Sequence, residues 1–249
     1  MVSKLVMSEK RSSPFILSVT AVFTALVCVV TMSFSVYVPA TRGFFNIGDS
    51  MVFLSALLFG PLVGAFAGGV GSGLADLLLG YSYYAPATLV IKGFEGFIVG
   101  ELNKRKPNFS VGSWRIYTLT LGLIIGGLLG YFGINYYSGD VEVALGSSYF
   151  TLNIPQALWA VLSVLVVVSI TYFAWRHDPE MGWTIFTVIV GGLSMVIGYF
   201  LYQYFLIGPL FQIEVIAIAE VPINVGQMIV GIVVSLLLVK PIKKYLSFL

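Results

Sequence analysis

The stretch that decides the fold runs from Phe44 to Tyr81 and reads FFNIGDSMVFLSALLFGPLVGAFAGGVGSGLADLLLGY. It could form one very long membrane helix or two shorter helices joined by a tight turn. The central Phe59-Gly60-Pro61 favours the turn, because glycine suits the position just past a helix end and proline suits the first position of the next helix. The sequence therefore predicts a helical hairpin here.

The distribution of positive charge supports the hairpin. With a cytoplasmic N-terminus, eleven of the thirteen Lys and Arg residues fall in cytoplasmic segments or at their edge, the exceptions being Arg42 and Lys92. This is the positive-inside pattern of membrane proteins. A single span over 44–81 would instead move the basic run at 104–106 to the outside. Both termini are therefore predicted to be cytoplasmic.

The composition excludes a soluble fold. The 249 residues are 58% hydrophobic and only 10% charged, against about 25% charged in an ordinary soluble domain. A soluble protein of this length exposes too much surface to hide so many apolar side chains, and a disordered chain would be polar. The apolar residues come in blocks rather than alternating, which favours membrane helices over a β-barrel.

These blocks predict an all-α polytopic integral membrane protein, with residues 1–249 forming a single transmembrane domain in the cell (plasma) membrane. A span needs about 20 apolar residues, and about eight segments qualify, although the second and fourth are short. The N-terminal run is long for a signal peptide, so it is predicted to remain as the first span. The predicted spans are 14–38, 44–59, 61–81, 86–102, 114–137, 153–175, 183–206 and 220–239.

The chain lacks residues that several functional classes of protein need. Cys28 and His177 are the sole residues of their kinds, which excludes an internal disulfide and a structural zinc cluster. The paired histidines that an intramembrane metalloprotease needs are missing from the chain, and so is the phosphate-binding loop of ATPases. No basic face suits nucleic acid. We therefore expect no enzyme activity, no cofactor, no metal site and no nucleic-acid partner.

Ionisable residues inside predicted spans mark a first candidate site, because such groups are costly in lipid and usually face a partner or a cavity. Asp76 and Lys92 lie at matching depth, roughly 7–9 Å from the membrane boundary on consecutive antiparallel helices, so we expect them to pair. Glu95 follows three residues later on the same helix face. Two interpretations stay open: an ion network that only fixes helix packing, or the polar floor of a ligand cavity.

A second polar cluster lies in the last predicted hairpin. Asn224 and Gln227 share one face at the outer start of the last span, Glu220 precedes them, and Tyr199 lies near the end of the span before. Amides inside lipid need partners, although interfacial tyrosines can also form a membrane belt. Aromatic faces with a few amides and carboxylates are typical of a cavity for a small polar aromatic molecule.

Six spaced motifs occur in a fixed order along the chain. They are GFFNIGD at 43–49, ALLFGPLVG at 56–64, GSGLADLL at 71–78, APAT at 85–88, IKGFEG at 91–96 and EVPIN at 220–224. Together with Gln227 they resemble the S components of energy-coupling factor (ECF) transporters, in the branch labelled riboflavin-type. The resemblance covers about 14–103 and 183–240.

The resemblance implies a membrane subunit that captures a small water-soluble vitamin outside and passes it inward by toppling within a complex. Its partners would be the lipid bilayer, a transmembrane coupling subunit and two cytoplasmic ATPase subunits. Ala21 and Ala25 fit the A-x-x-x-A face by which such subunits dock on the coupling subunit. The expected ligand-binding residues are Asn46, Asp49, Asp76, Lys92, Glu95, Tyr199, Glu220, Asn224 and Gln227.

The number of spans departs from the family, which has six helices. The segment 114–175 is predicted to be an inserted or duplicated helix pair, between the first four core spans at 14–103 and the final core hairpin at 183–240. A weak internal repeat supports duplication, because Gly130-Tyr131-Phe132 recurs as Gly198-Tyr199-Phe200.

Two other functional classes stay open on the sequence. A stand-alone transporter coupled to protons or ions would use Asp76, Lys92 and Glu95 as a relay. A non-transporting scaffold would use the same charges only to hold its helices together. The residues suit riboflavin, which is the first expectation, but also pantothenate, a pyrimidine precursor or another small nutrient.

Overall fold

The computed structural model describes residues 13–38, 42–105, 107, 110–136, 138–145, 148–176, 179–207, 209 and 217–246. Within them, helices dominate, which confirms the all-α prediction. α7 continues for one further turn as a π-helix, Gln203–Ile207. The helices are α1 Ser13–Ser33, α2 Asp49–Phe59, α3 Pro61–Leu79, α4 Ala85–Lys104, α5 Val111–Tyr136, α6 Gln156–Arg176, α7 Pro179–Tyr202 and α8 Ala217–Leu246.

Six helical segments of the described chain are long and apolar enough to cross a membrane. They are Ser13–Ser33, Pro61–Leu79, Val111–Tyr131, Gln156–Arg176, Pro179–Ile207 and Glu220–Leu246. The apolar α2 has only 11 residues, so it extends roughly 17 Å and cannot cross a ~30 Å hydrocarbon core alone. Eight crossings therefore stay a prediction.

The hairpin expected within 44–81 is present. α2 ends at Phe59, α3 begins at Pro61, and Gly60 between them has a φ of 92°. A side chain would strain that backbone conformation, which glycine adopts freely. Proline at the first position of a helix loses nothing by lacking an N–H, since that group has no helical acceptor.

The backbones of α3 and α4 lie in direct contact. A Cβ atom added to Gly64 would lie 2.8 Å from the carbonyl oxygen of Gly96, and one added to Gly68 would lie 2.7 Å from that of Lys92. Both separations are too short for real atoms, so any residue larger than glycine would push the helices apart. Small residues spaced four apart allow this approach.

Two β-hairpins replace ends of predicted spans or loops. β1 (Ser35–Val38) pairs antiparallel with β2 (Gly43–Asn46), and β3 (Gly139–Leu145) pairs with β4 (Ser148–Ile154). The span predicted at 14–38 therefore ends too late, because residues 35–38 form β1. The spans predicted at 44–59 and 153–175 begin too early, because their first residues belong to β2 and β4. Valine, tyrosine and phenylalanine suit a strand as well as a membrane helix, so hydropathy does not separate the two.

The chain forms two compact units, residues 1–106 with 183–249 and residues 107–182. The first unit has an apolar core around Phe53, Val99 and Val188, each completely buried. In the second unit, the Trp114 indole N–H donates to the Ala174 carbonyl oxygen at 3.0 Å, joining α5 to α6. That 114–175 is an insertion into a six-helix core stays a prediction.

Candidate functional site

A cavity of about 30 Å³ lies in the first unit, where β2, α3, the residue before α4, α7 and α8 meet. Its wall combines carboxylates, amides and aromatic rings. Six residues predicted from the sequence contribute to it: Asn46, Asp76, Tyr199, Glu220, Asn224 and Gln227. Gly43, Phe44 and Tyr84 complete the wall.

A chain of amide hydrogen bonds joins the β1–β2 hairpin to α8. The backbone N–H and the side-chain amide of Asn46 both donate to Gln227 Oε1, at 2.6 and 2.8 Å. Gln227 Nε2 in turn donates to Asn224 Oδ1 at 3.1 Å. The three-residue spacing of Asn224 and Gln227 places both amides on one helix face, as the sequence predicts.

Two polar atoms of the wall remain available. The Tyr199 hydroxyl donates to Thr88 Oγ1 at 2.9 Å, and the Thr88 hydroxyl hydrogen-bonds the Asp76 carboxylate. Asp76 Oδ2 and Asn224 Nδ2, however, have no hydrogen-bond partner among the residues that the structure describes. Both side chains are buried. The wall therefore presents one spare acceptor and one spare donor.

The other three predicted residues form a separate buried ion network. Lys92 Nζ pairs with Asp49 Oδ1, and it lies 3.1 Å from Glu95 Oε2. The expected Asp76–Lys92 pair is therefore wrong, because α2 brings the Asp49 carboxylate to Lys92 instead. Lys92 Nζ lies 5.8 Å from the centroid of the Tyr199 ring, so Tyr199 borders both the network and the cavity.

Phe44, Tyr84 and Thr88 were not predicted as site residues. Thr88 precedes Lys92 by four residues, so it shares the buried face of α4, and that spacing could have identified it. Tyr84 accepts a 2.6 Å hydrogen bond from Gln203 Nε2, and burial raises the pKa of its phenol above the ordinary value. The Tyr84 ring also contacts the rings of Tyr83 and Tyr202, and interfacial tyrosines can form a membrane belt as well as line a site.

The predicted docking residues lie on α1. Ala21 and Ala25 are both exposed in the first unit, and their four-residue spacing puts them on one helix face. The buried side of α1 is different: the Thr24 carbonyl oxygen and Val27 lie against Gly71 of α3. Their role in docking stays a prediction.

Comparison with known proteins identifies relatives of this chain. Over 113 residues it is 48% identical to a Pyrococcus woesei protein described as "Uncharacterized protein in gap 3'region", covering 44% of this chain and 71% of that protein. Over 151 residues it is 28% identical to the thiamine precursor transporter HmpT of Lactococcus lactis subsp. cremoris (strain MG1363), covering 60% of this chain and 86% of that protein.

A family-level match covers more than half of the chain. Residues 13–145 match the sequence model of the family described as ECF-type riboflavin transporter, S component. This confirms the predicted resemblance, the multi-pass membrane class and the expectation that the protein is a transporter subunit rather than an enzyme. The chain therefore belongs to the family of ECF-type riboflavin transporter S components.

Proposed function

We propose that this S component binds its vitamin in the cavity between β2, α3, α7 and α8. Family membership makes the chain a substrate-binding subunit for vitamin uptake. The vitamin site then lies in this cavity, and transport runs from outside the cell to the inside. The vitamin enters from outside the cell membrane, both chain termini are cytoplasmic, and a transmembrane coupling subunit with two cytoplasmic ATPases drives delivery inward.

The observation that carries the proposal is the pair of available polar atoms on the wall. Asp76 Oδ2 can accept a hydrogen bond and Asn224 Nδ2 can donate one. Leaving such a buried group without a partner costs about 1–3 kcal/mol. A ligand that supplies both partners relieves that cost, so its binding is favoured over an apolar molecule of the same size.

The size of the cavity requires that a wall move. Its volume of about 30 Å³ matches a single water molecule, whereas small-molecule sites typically occupy about 300–1,000 Å³. The β1–β2 hairpin is the candidate for this movement, because an isolated two-stranded ribbon is only marginally stable. Its Asn46–Gln227 hydrogen bonds would break when the hairpin opens.

The substrate named for the family and that named for a relative both remain candidates. The family description names riboflavin, and the Lactococcus lactis relative is named for a thiamine precursor. Both kinds of molecule contain a flat nitrogen heterocycle, which suits a wall with Phe44, Tyr84 and Tyr199. The exposed Ala21 and Ala25 would supply the face of α1 that docks on the coupling subunit, since small residues let a partner helix lie close.

Purification in mild detergent, followed by mass spectrometry of bound small molecules and by absorbance for a flavin, tests the proposal. We expect a stoichiometric vitamin. Asn224→Ala should weaken its binding by about 10-fold or more, because the spare donor is removed. Asn135→Ala, on the exposed face of α5, is the matched control and should bind normally. Equal affinity of the Asn224 variant and the control would contradict this location.

One observation favours a second candidate function. Two carboxylates, those of Asp49 and Glu95, share the single Lys92 ammonium in the buried network, and such groups can relay protons in transporters. A stand-alone transporter coupled to protons or ions would take up vitamin without ATPase partners and stop when the proton gradient collapses. Uptake that follows ATP hydrolysis by partner subunits would exclude it.

A further inference from the structure

A second cavity, of about 160 Å³, lies in the second unit, where the start of α5 meets the end of α6. Its wall includes the guanidinium groups of Arg115 and Arg176 and the indole rings of Trp114 and Trp175. None of its described residues lines the cavity proposed above for the vitamin. We propose that this second cavity binds the phosphate group of an anionic phospholipid, a function that goes beyond vitamin binding.

Two contacts hold the wall of this lipid cavity together. The Trp114 indole N–H donates to the Ala174 carbonyl oxygen at 3.0 Å, which fixes the start of α5 against the end of α6. The guanidinium carbon of Arg115 lies 5.4 Å from the centroid of the Trp175 ring, within the range of a cation–π interaction. An aromatic ring of α6 therefore positions an arginine of α5 on the same wall as Arg176.

Neither arginine of the wall has a counter-ion among the residues that the structure describes. Arg105 of the first unit, by contrast, pairs with Glu101 at 2.6 Å. The neighbouring Glu180 is exposed, is not part of the wall and has an interaction of its own, and Asp178 lies outside the described residues. The wall as described therefore presents two positive charges to a ligand.

The position of Arg115 is unfavourable for α5 by itself. A cation stabilises the C-terminus of a helix, which accounts for Arg176 as the last residue of α6. Arg115, however, is close to the N-terminus of α5, whose first turn contains no acidic residue, and helical side chains incline towards that end. A bound phosphate would offset both positive charges there, since helix N-termini and arginines each bind phosphate oxygens.

An exposed apolar stripe leads along α6 to the cavity. It consists of Val161, Leu165, Val168, Tyr172 and Trp175, whose alternating spacing of four and three residues puts them on one helix face. The stripe is roughly 21 Å long, whereas one leaflet contributes about half of a ~30 Å hydrocarbon core. It is therefore long enough for an acyl chain, which favours a phospholipid over free phosphate as the ligand.

The predicted topology puts this end of both helices at the cytoplasmic leaflet. That leaflet carries anionic lipids, and basic pockets between membrane helices on this side bind lipid headgroups. Tryptophan and tyrosine are enriched at the level of the headgroups, where the cavity has its indole rings. A phosphate in the cavity and an acyl chain along α6 would therefore both lie at their ordinary depths in the bilayer.

Lipid titration of the purified full-length protein in mild detergent, followed by native mass spectrometry, tests the proposal. The probes are dioleoyl phosphatidylglycerol and dioleoyl phosphatidylcholine, which has the same acyl chains and a cation beside its phosphate. We expect the anionic lipid to bind at least about fivefold more tightly, because each arginine near the surface contributes about that factor. Equal binding of the two lipids would overturn the proposal.

Substitution of the arginines locates the site. Arg115→Gln should weaken binding of phosphatidylglycerol about fivefold, and its combination with Arg176→Gln about 25-fold. Arg105→Gln removes the same charge from an exposed position of the first unit and is the matched control, so lipids bound elsewhere cancel in the comparison. Arg176→Gln alone is the second variant if Arg115→Gln does not fold. Equal affinity of the folded variants and the control would overturn the proposal.

Two further probes distinguish a lipid from a free phosphate. Glycerol 3-phosphate and inorganic phosphate carry the anionic group without acyl chains. We expect both to bind at least about tenfold more weakly than phosphatidylglycerol, because each buried CH₂ of an acyl chain adds to affinity. If either binds as tightly as the lipid and loses affinity in Arg115→Gln, the cavity is a site for free phosphate and the assignment to a phospholipid is wrong.

Discussion

Two buried polar groups in the same unit differ in what their charges contact. In the ion network, Asp49 and Glu95 both lie against the Lys92 ammonium. On the cavity wall, Asp76 and Glu220 lie with amides, hydroxyls and aromatic rings instead. The difference teaches that burial of a charge does not by itself indicate a binding site, because an internal counter-ion can satisfy that charge. Among the described residues, buried oxygens without a hydrogen-bond partner occur in both groups, Asp49 Oδ2 and Glu95 Oε1 in the network and Asp76 Oδ2 on the wall. The more specific indication is that Asp76 and Asn224 also line a cavity.

The largest effect that separates the two groups should come from Lys92→Met. Removing the ammonium leaves Asp49 and Glu95 buried without their cation, which destabilises a protein by about 3–5 kcal/mol. We expect a strongly lowered unfolding midpoint in mild detergent, with ligand affinity close to normal in the fraction that remains folded. Lys104→Met, at the exposed end of α4, is the control.

Adding Glu95→Gln to Lys92→Met should recover part of the lost stability, because one uncompensated charge is removed. A loss below about 1 kcal/mol in the single variant, the range of an exposed ion pair, would contradict the structural role of the network. A loss of ligand affinity at unchanged stability would instead show that Lys92 is part of the binding site.

An intermediate effect is expected from Gln227→Leu on the cavity wall. The leucine cannot accept the two hydrogen bonds from Asn46, and each buried donor left unpaired costs about 1–3 kcal/mol. Gln227 also lines the cavity and donates to Asn224 Oδ1, so we expect ligand affinity to fall about 10- to 100-fold. The loss of stability should not exceed that of Lys92→Met, because an unpaired neutral group costs less than an unpaired charge. Titration calorimetry and thermal unfolding of the same preparation measure both quantities.

Ser235→Ala is a suitable control for Gln227→Leu, since its hydroxyl donates to the Ile232 carbonyl oxygen within α8, away from the cavity wall. The comparison between wall and network would fail if Gln227→Leu lost stability as strongly as Lys92→Met and kept its affinity.

The smallest effect is expected from Tyr199→Phe, at the border of the two groups. The substitution removes the hydroxyl that donates to Thr88 but keeps the ring beside Lys92. One neutral hydrogen bond contributes about 0.5–1.5 kcal/mol, so we expect at most about tenfold weaker binding. Thr88→Val should cost more than Tyr199→Phe, because it also removes the hydrogen bond to Asp76. Adding Tyr199→Phe to Thr88→Val should then change little, because the bond between the two hydroxyls is already lost. Fully additive losses would show that the two hydroxyls act independently.

The sequence predicts the helices and much of the wall because its signals there are local. Gly60 followed by Pro61 specifies a turn through the backbone preferences of two residues. Asn224 and Gln227 meet because their spacing matches the helical period. Neither inference needs knowledge of a distant segment, and both agree with the structure.

The partner of Lys92 could not be obtained in that way. Equal depth along two helices places Asp76 and Lys92 at the same level, but it does not fix the direction in which each side chain points around its axis. The short α2 brings Asp49 to the same lysine, and its approach depends on how the hairpin packs. Likewise, β1 and β2 are apolar enough for a span, and only their pairing defines them as strands.

The glycine contact between α3 and α4 has a mechanical consequence. Where two backbones touch, no side chains lie between them that could slide or change rotamer, so a displacement of one helix pushes directly on the other. Asp76 on α3 and Thr88 on α4 are therefore held at a constant separation. Any widening of the cavity must come from movement of the elements that face α3 and α4, namely β2, α7 and α8.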